Sequence, residues 1–512
     1  MKRDNLTAKQ LDANGRSKYA VFLPALSTFY STQIDSPGNV NRVPAKFENG
    51  LAGMNWLDAD QGYFTYKWSL YSAGHAQLDL AKKGENMIRN RDRNDTFILA
   101  DSGGFQIGKG VWEGDWTDPN DANCAKRRKQ VLAWIDAIAD YGMVLDIPPW
   151  ICKNPEVVKK TGIKSYQHSV EATMFNNEYF IKNRNGGAKF LNVMQGMTVT
   201  DSDHWYSVMK KYCDPKQYPN DHFNGWSMGG QATCAPTLAL RRIIMMRDDG
   251  LLEKGVHDWM HFLGTSKLEW ALLLTDIQNA VRKTHNENFT ISFDCASPFL
   301  ATANGQIYTN NIFDDRKKWS YRMIPSVDDK KYAHDTRTLR DAVLQDGVFT
   351  KFEESPFSER MQINDVCKYG PGDLNKIGKE GRTSWDSFSY ALQMGHNVWM
   401  HLQSVQEANR LYSTRESCPR MLVDERHDRK YLSDVVNEIF ASDTGKAFEL
   451  IKEHDRFLTG IIGSRGNKGK KETNANTCFN NLFSETGTTI EQHSDDSGFD
   501  ETVLDKMDNG EE

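Results

Sequence analysis

The chain is poor in the features that announce a compartment or a cofactor. Its eight cysteines, at positions 124, 152, 213, 234, 295, 367, 418 and 478, include no Cys-x-x-Cys pair. That argues against a disulfide scaffold in a chain of this length and against a complete cysteine-rich zinc site. No stretch approaches the roughly 18 consecutive apolar residues that a membrane span requires, so no membrane partner is expected. The first twenty residues contain no apolar core of the kind a secretory signal carries, and the expected compartment is the cytoplasm. No Gly-x-Gly-x-x-Gly or phosphate-loop turn follows any strand candidate, which leaves the nucleotide-binding open sheets without their fingerprint. An excess of one charge is also missing where it would matter. The net charge is −6, but residues 464–512 hold 5 Lys+Arg against 11 Asp+Glu, and residues 1–463 hold 58 of each. The body is neutral, and overall charge does not choose its partner.

What is present is a sizeable apolar complement, 39% of residues with 13 Trp and 25 Phe, and a recurring local pattern. Short apolar runs at Tyr19–Pro24, Thr96–Asp101, Met143–Asp146, Phe190–Gln195, Trp226–Gly229, His261–Gly264 and Thr290–Asp294 read as strands. Helical periodicity lies between them. Val131, Trp134, Ile135 and Ile138 fall at i, i+3, i+4 and i+7; Leu273, Ile277 and Val281 recur every fourth residue; Pro236 suits the first turn of a helix through Leu240 and Ile244. Alternating strands and helices predict a parallel sheet. The spacing fits a (β/α)8 TIM barrel with insertions, and an eighth strand is expected after Asn304. The division that follows is an N-terminal extension over 1–18, the barrel over 19–412, a C-terminal helical segment over 413–463 and a disordered acidic tail over 464–512. In that tail the basic Ser464–Lys471 stretch reads as a solvated linker or a nucleic-acid-contacting arm.

Polar and glycine residues collect where these strands end: residues 100–106, 145–149, 193–196, 227–231, 262–266 and 293–298. In a (β/α)8 barrel all such endings face one rim, which carries the active site. Asp101, Asp146 and Asp294 are therefore expected near one another. Taken singly, an Asp after a strand often caps the next helix and a Gly pair often only makes a turn; their coincidence at one topological place carries the functional reading.

The run Asp101-Ser102-Gly103-Gly104-Phe105-Gln106 resembles the signature of tRNA-guanine transglycosylases, as does Phe293-Asp294-Cys295 followed by Asn304-Gly305-Gln306. Gln195-Gly196 and Gly229-Gly230 are similar to two further motifs of that family, in the same order. The resemblance implies that Asp294 is the nucleophile that displaces guanine from C1′ and that Asp101 transfers the proton and touches the base. It further implies that Ser102, Gly103, Phe105, Asp146, Gln195, Gly229 and Gly230 bind the base. In that reading Phe105 stacks on the purine, Asp146 and Gln195 meet its edge, and backbone N–H groups near Gly229 and Gly230 meet O6. A carboxylate suits both the nucleophilic task and the guanidine-like face of guanine.

Two departures from the tRNA enzymes are informative. Those enzymes hold zinc with three cysteines and a histidine. Here only Cys367 and His396 stand in the corresponding region, so no cofactor is expected and His396 reads as structural. The flanks Val21–Ser31, Val144–Trp150 and Ile291–Phe299 look closer to the phage-type enzymes that place 7-deazaguanine in DNA. The expected partners are accordingly DNA and a free 7-deazaguanine base, with base flipping or single-stranded substrate. Candidate backbone contacts are Arg89, Arg91 and Arg93, the Lys126–Lys129 helix start, and Arg316, Lys317 and Lys318; each is more often simply a solvated face. The 89–93 stretch precedes a strand, which points to the opposite rim. The competing readings are a tRNA-guanine transglycosylase, a barrel glycoside or nucleoside hydrolase, and a non-catalytic nucleic-acid-binding protein.

Overall fold

The computed structural model describes residues 4–35, 46–230, 235–313, 319–327, 330–339, 355–367 and 385–461. Eight parallel strands form its centre: β1 (Val21–Pro24), β2 (Trp68–Ser72), β3 (Phe97–Asp101), β4 (Tyr141–Met143), β5 (Lys189–Met194), β6 (Gly225–Met228), β7 (Trp259–Phe262) and β8 (Thr290–Cys295). Each pairs with the next in chain order from β2 to β8, and β8 pairs back to β1. The last gap, between β1 and β2, is closed by an Ala25–Leu70 bridge and by Leu26 N–H donating to the Leu70 carbonyl at 3.0 Å. The Ser69 hydroxyl adds a bond to the Pro24 carbonyl at 2.8 Å. The result is a (β/α)8 barrel. The strands are buried almost throughout, as a sheet covered by helices on one face and filled by side chains on the other requires.

The eighth strand is not the one expected after Asn304. It is Trp68–Ser72, second in the barrel. The segment after Asn304 instead forms an antiparallel hairpin, β9 (Gln306–Ile312) with β10 (Ser320–Pro325), bulged between Tyr308 and Asn310. The reason is local. Among the described residues, the β1-to-β2 connection contains only short helical pieces, Thr28–Asp35 and Gly50–Met54, so no long helical period flags the unit that β2 completes.

The outer helices form where the periodicity placed them. Asp121 caps Ala122–Ile138 by accepting from the Asn123 and Cys124 N–H groups, and Val131, Trp134, Ile135 and Ile138 are buried. Pro236 opens Pro236–Asp248, and Leu268–Thr284 buries Leu273, Ile277 and Val281. A 27-residue helix, Ser387–Ser413, packs against the β9–β10 hairpin and Leu268–Thr284. Residues 4–10 lie against that helix: Trp399 Nε1 donates to Asp4 at 2.9 Å, and Gln406 donates to the Leu6 carbonyl at 2.8 Å. Helices Leu432–Ala441 and Thr444–Glu453 pack on Leu268–Thr284 and Pro236–Asp248, and their apolar faces join the barrel's own hydrophobic cluster. Among the described residues no helix is long and apolar enough to cross a membrane.

Candidate active site at the carboxyl rim

Register places the three aspartates at one end of the barrel. Asp101 is the last residue of β3 and pairs with Ser72 at the end of β2. Asp294 lies next to last in β8, beside Leu23 of β1. Asp146 follows β4 by three residues. The charge of Asp294 raises the Asp101 pKa, and the charge of Asp101 raises that of Asp146. The rim therefore gathers the three carboxylates, and none of them makes an ion pair with Lys or Arg among the described residues.

Asp101 is held by the Ser72 hydroxyl, which donates to Oδ2 at 2.6 Å, and by the Gly103 N–H at 3.3 Å. Burial nevertheless dominates and lifts its pKa above the usual carboxylate value; Asp294 adds to the rise, while Ser72, Gly103 and His75 oppose it. Asp146 accepts from Gln195 Nε2 at 2.8 Å, and burial pushes its pKa up to about 7. The Gly103-Gly104 turn makes this clustering possible. Gly103 sits at φ +81°, a left-handed conformation, and a Cβ on Gly104 would come within 2.8 Å of both the Asp146 carbonyl and its Oδ1. No side chain fits there.

Asp294 has 13% of its side chain exposed and, like Asp101, is partly exposed, whereas Asp146 is buried. Its Oδ1 accepts from the Gly264 N–H at 3.0 Å and meets His261 Nε2 at 3.1 Å. His261 Nδ1 lies 2.9 Å from Ser292 Oγ, and Trp259 Nε1 donates to that same oxygen at 2.8 Å.

The remaining base-binding expectations divide. Phe105 is half-buried at the rim, 5.9 Å between ring centroids from Trp150, with the Lys109 ammonium 5.1 Å from its own ring centroid. Gln195 is in place beside Asp146. Ser102 is not positioned as expected: it is fully buried, and its hydroxyl donates to the Val144 carbonyl at 3.0 Å. The Gly229 N–H is also committed, to the Met194 carbonyl at 2.9 Å, which leaves the expected contact with O6 to other backbone N–H groups near Gly229 and Gly230. Gly229 and Gly230 instead pack against the Gln195 amide, each within 3.2 Å of it from an ideal Cβ position.

Arg91 and Arg93, just before β3, lie at the other end of the barrel. Arg91 is buried and donates to the Thr96 and Ile138 carbonyls and, at 2.7 Å, to Asp140. Arg93 donates to the Ala137, Ala139 and Gly187 carbonyls, and Arg89 to Glu85 and the Gln77 carbonyl. Arg91 and Arg93 tie strand entries together, and Arg89 is held within the loop that follows β2, so these guanidinium groups serve the fold rather than the phosphate contacts expected of them. Of the Lys126–Lys129 group, Arg128 is buried against Phe175 and hydrogen-bonded to Asn176, while Arg127 lies 4.6 Å over Trp112. Arg316, Lys317 and Lys318 fall outside the described residues.

His396 uses both ring nitrogens inside the fold, one against Ser355 Oγ at 2.7 Å and the other against the Tyr308 carbonyl at 2.8 Å. Its neighbour Asn397 accepts from the Tyr308 N–H and donates to Thr302 Oγ1, so the pair pins the β9–β10 hairpin to the long helix. Cys367 is buried in an apolar cluster with Val327 and Ile363. The other grouping of potential metal ligands among the described residues is Asp424, His427 and His454. There, both imidazoles meet one carboxylate oxygen through Nδ1, at 2.8 and 2.7 Å, which reads as a hydrogen-bonded pin between a hairpin and the last helices.

The residues that sequence reasoning missed are Ser72, His261, Gly264 and Ser292. The available signal was a histidine and a serine interrupting otherwise apolar strands, Trp259–Phe262 and Thr290–Cys295. A (β/α)8 barrel with three converging carboxylates, one of them open and tightly oriented, defines the class as a barrel with a carboxylate-lined rim suited to acid–base or nucleophilic chemistry. Neither protein-family models nor curated proteins give a match to the chain.

Proposed function

We propose that this chain is a transglycosylase that exchanges guanine in DNA for a 7-deazaguanine base through a covalent aspartyl intermediate. The observation that carries the reading is the pairing at the rim. Asp294 presents a partly exposed carboxylate, and Asp101, raised in pKa by burial and by the charge of Asp294, shares the rim with it. The reaction needs a nucleophile and a proton-transfer group on one rim, and a raised pKa suits Asp101 to the proton transfer.

In the proposed reaction Asp294 Oδ2 attacks C1′ of the target nucleotide. The C1′–N9 bond breaks, its electron pair leaves with guanine, and Asp101 supplies the proton that neutralises the departing base. The incoming 7-deazaguanine then attacks C1′ through N9. The ester bond breaks, Asp294 recovers its charge, and Asp101 takes back the N9 proton. Two displacements retain the anomeric configuration. Asp146 and Gln195 suit the N1–H and N2–H edge of the base, with Phe105 and Trp150 available to stack against its face at roughly 1–3 kcal/mol per base. The target nucleotide must be flipped out or single-stranded to reach the rim.

The choice of DNA rests on the resemblance of residues 21–31, 144–150 and 291–299 to the phage-type enzymes. The test is an exchange assay with radiolabelled guanine and either DNA or tRNA. Label entering DNA supports the proposal. Label entering only tRNA replaces the polymer and keeps the chemistry, and release of free base without replacement favours a hydrolase.

A further inference from the structure

We infer that His261 is a positioning residue that fixes the orientation of Asp294 through a one-way chain of hydrogen bonds from Trp259 and Ser292. The inference rests on Asp294 being the nucleophile.

The polarity of the chain follows from what each group can do. An indole N–H only donates, so Ser292 Oγ accepts from Trp259 at 2.8 Å. An ionised carboxylate only accepts, so the His261 nitrogen 3.1 Å from Asp294 Oδ1, Nε2, carries the proton. A neutral imidazole with its proton on Nε2 has a lone pair on Nδ1, and the Ser292 hydroxyl proton, 2.9 Å away, is placed to meet it. Trp259 thus sets Ser292, Ser292 sets the His261 tautomer, and His261 joins the Gly264 N–H in holding Oδ1. Oδ2 accepts no hydrogen bond among the described residues and is the oxygen left to react.

The same three side chains in the opposite order would suggest a serine nucleophile with a histidine base. Burial rules that out. Ser292 and His261 are both fully buried, and Asp294 is the member that reaches solvent. The ionisable side chain in contact with His261 is Asp294 on β8. Its register partner on β6, Ser227, is a neutral hydroxyl.

The test uses the full-length protein with guanine-containing DNA and, separately, tRNA as probes. It compares wild type with His261→Leu, His261→Gln and Ser292→Ala. The readouts are the single-turnover rate of denaturation-resistant adduct formation, kcat and KM for exchange, and the pH profile. Losing one preorganised donor to a reacting group costs about 100-fold in rate. His261→Leu is expected to lower the adduct rate and kcat by about that factor with KM within twofold. His261→Gln keeps an N–H at similar reach and is expected to regain at least about tenfold. In Ser292→Ala the tautomer is no longer set. Its adduct rate is expected to lie between those of wild type and His261→Leu, with KM within twofold, because the imidazole remains beside Oδ1 but is no longer oriented from Nδ1. Wild-type adduct rates in His261→Leu, a Gln variant no better than Leu, or a wild-type adduct rate in Ser292→Ala would each overturn the inference alone. Absence of any wild-type adduct on either nucleic acid would overturn the exchange reaction, and this inference with it.

Discussion

The two ends of this barrel treat charge in opposite ways. At the amino end, ionic groups are neutralised within the fold: Arg91 is buried against Asp140, Arg93 covers strand and helix carbonyls, and Arg282 donates to the Ser17 and Phe289 carbonyls. At the carboxyl end, three carboxylates are brought together with hydroxyl, amide and imidazole partners but no Lys or Arg counter-ion among the described residues. Burial and mutual repulsion raise Asp101 and Asp146 there. The first arrangement holds strands in register. The second raises the proton affinity of two acidic groups, at a cost in stability that a purely structural site would have no reason to carry.

Substitutions at the two ends should therefore separate activity from stability. The largest effect is expected from Asp294→Asn, which removes the nucleophile. Turnover should fall by about 10⁴ or more with no loss of Tm, and no denaturation-resistant complex should form, as read on a denaturing gel. Arg91→Met acts at the other end. It leaves Asp140 without its buried partner and should cost about 3 kcal/mol of stability in chemical denaturation, with kcat per folded molecule unchanged. If Arg91→Met lowered DNA affinity without destabilising the fold, the structural assignment of the amino end would fail.

Two smaller effects concern Asp146. Its pKa is raised in the fold to about 7, above the usual carboxylate value, so ionising it costs folding stability from the unfolded pKa upward, and the cost reaches its full size above pH 7. Asp146→Asn should accordingly raise Tm by roughly a few degrees at pH 8 and by little or nothing at pH 4, while base binding is lost; calorimetry at both pH values would check this. In the wild-type protein the ionised carboxylate is the form that accepts from guanine N1–H and N2–H. Affinity for the free base should fall as the pH drops below about 7, by about tenfold per unit once Asp146 is mostly protonated. A base affinity that is flat from pH 8 to pH 5.5 would remove Asp146 from base recognition.

Much of the rim was legible in the sequence because apolar runs that end in Asp or Gly have few other uses in a parallel barrel. Asp101, Asp146, Gln195 and Asp294 were found that way. β2 was not, because the described residues between it and β1 hold only short helical pieces, and periodicity marks a unit poorly when its helix is short. Ser102 and Gly229 show that a motif names residues without saying which of their polar groups the fold has already used. His261 and Ser292 were invisible as a site because their relation to Asp294 exists only across neighbouring strands. The position of residues 89–93 before a strand did point to the far rim, and the structure puts Arg91 and Arg93 there, with Arg89 tied to the loop after β2.

The central claim is that the open carboxylate of Asp294 becomes esterified to C1′ of a guanine nucleotide. Its most direct test is to denature the protein rapidly during turnover on guanine-containing DNA, digest it, and locate the attached sugar by peptide mass spectrometry. The account predicts the deoxyribose-linked adduct on the peptide containing Asp294 and no such adduct in Asp294→Asn. An adduct on any other residue, or base exchange that proceeds with no trapped ester at all, would contradict it.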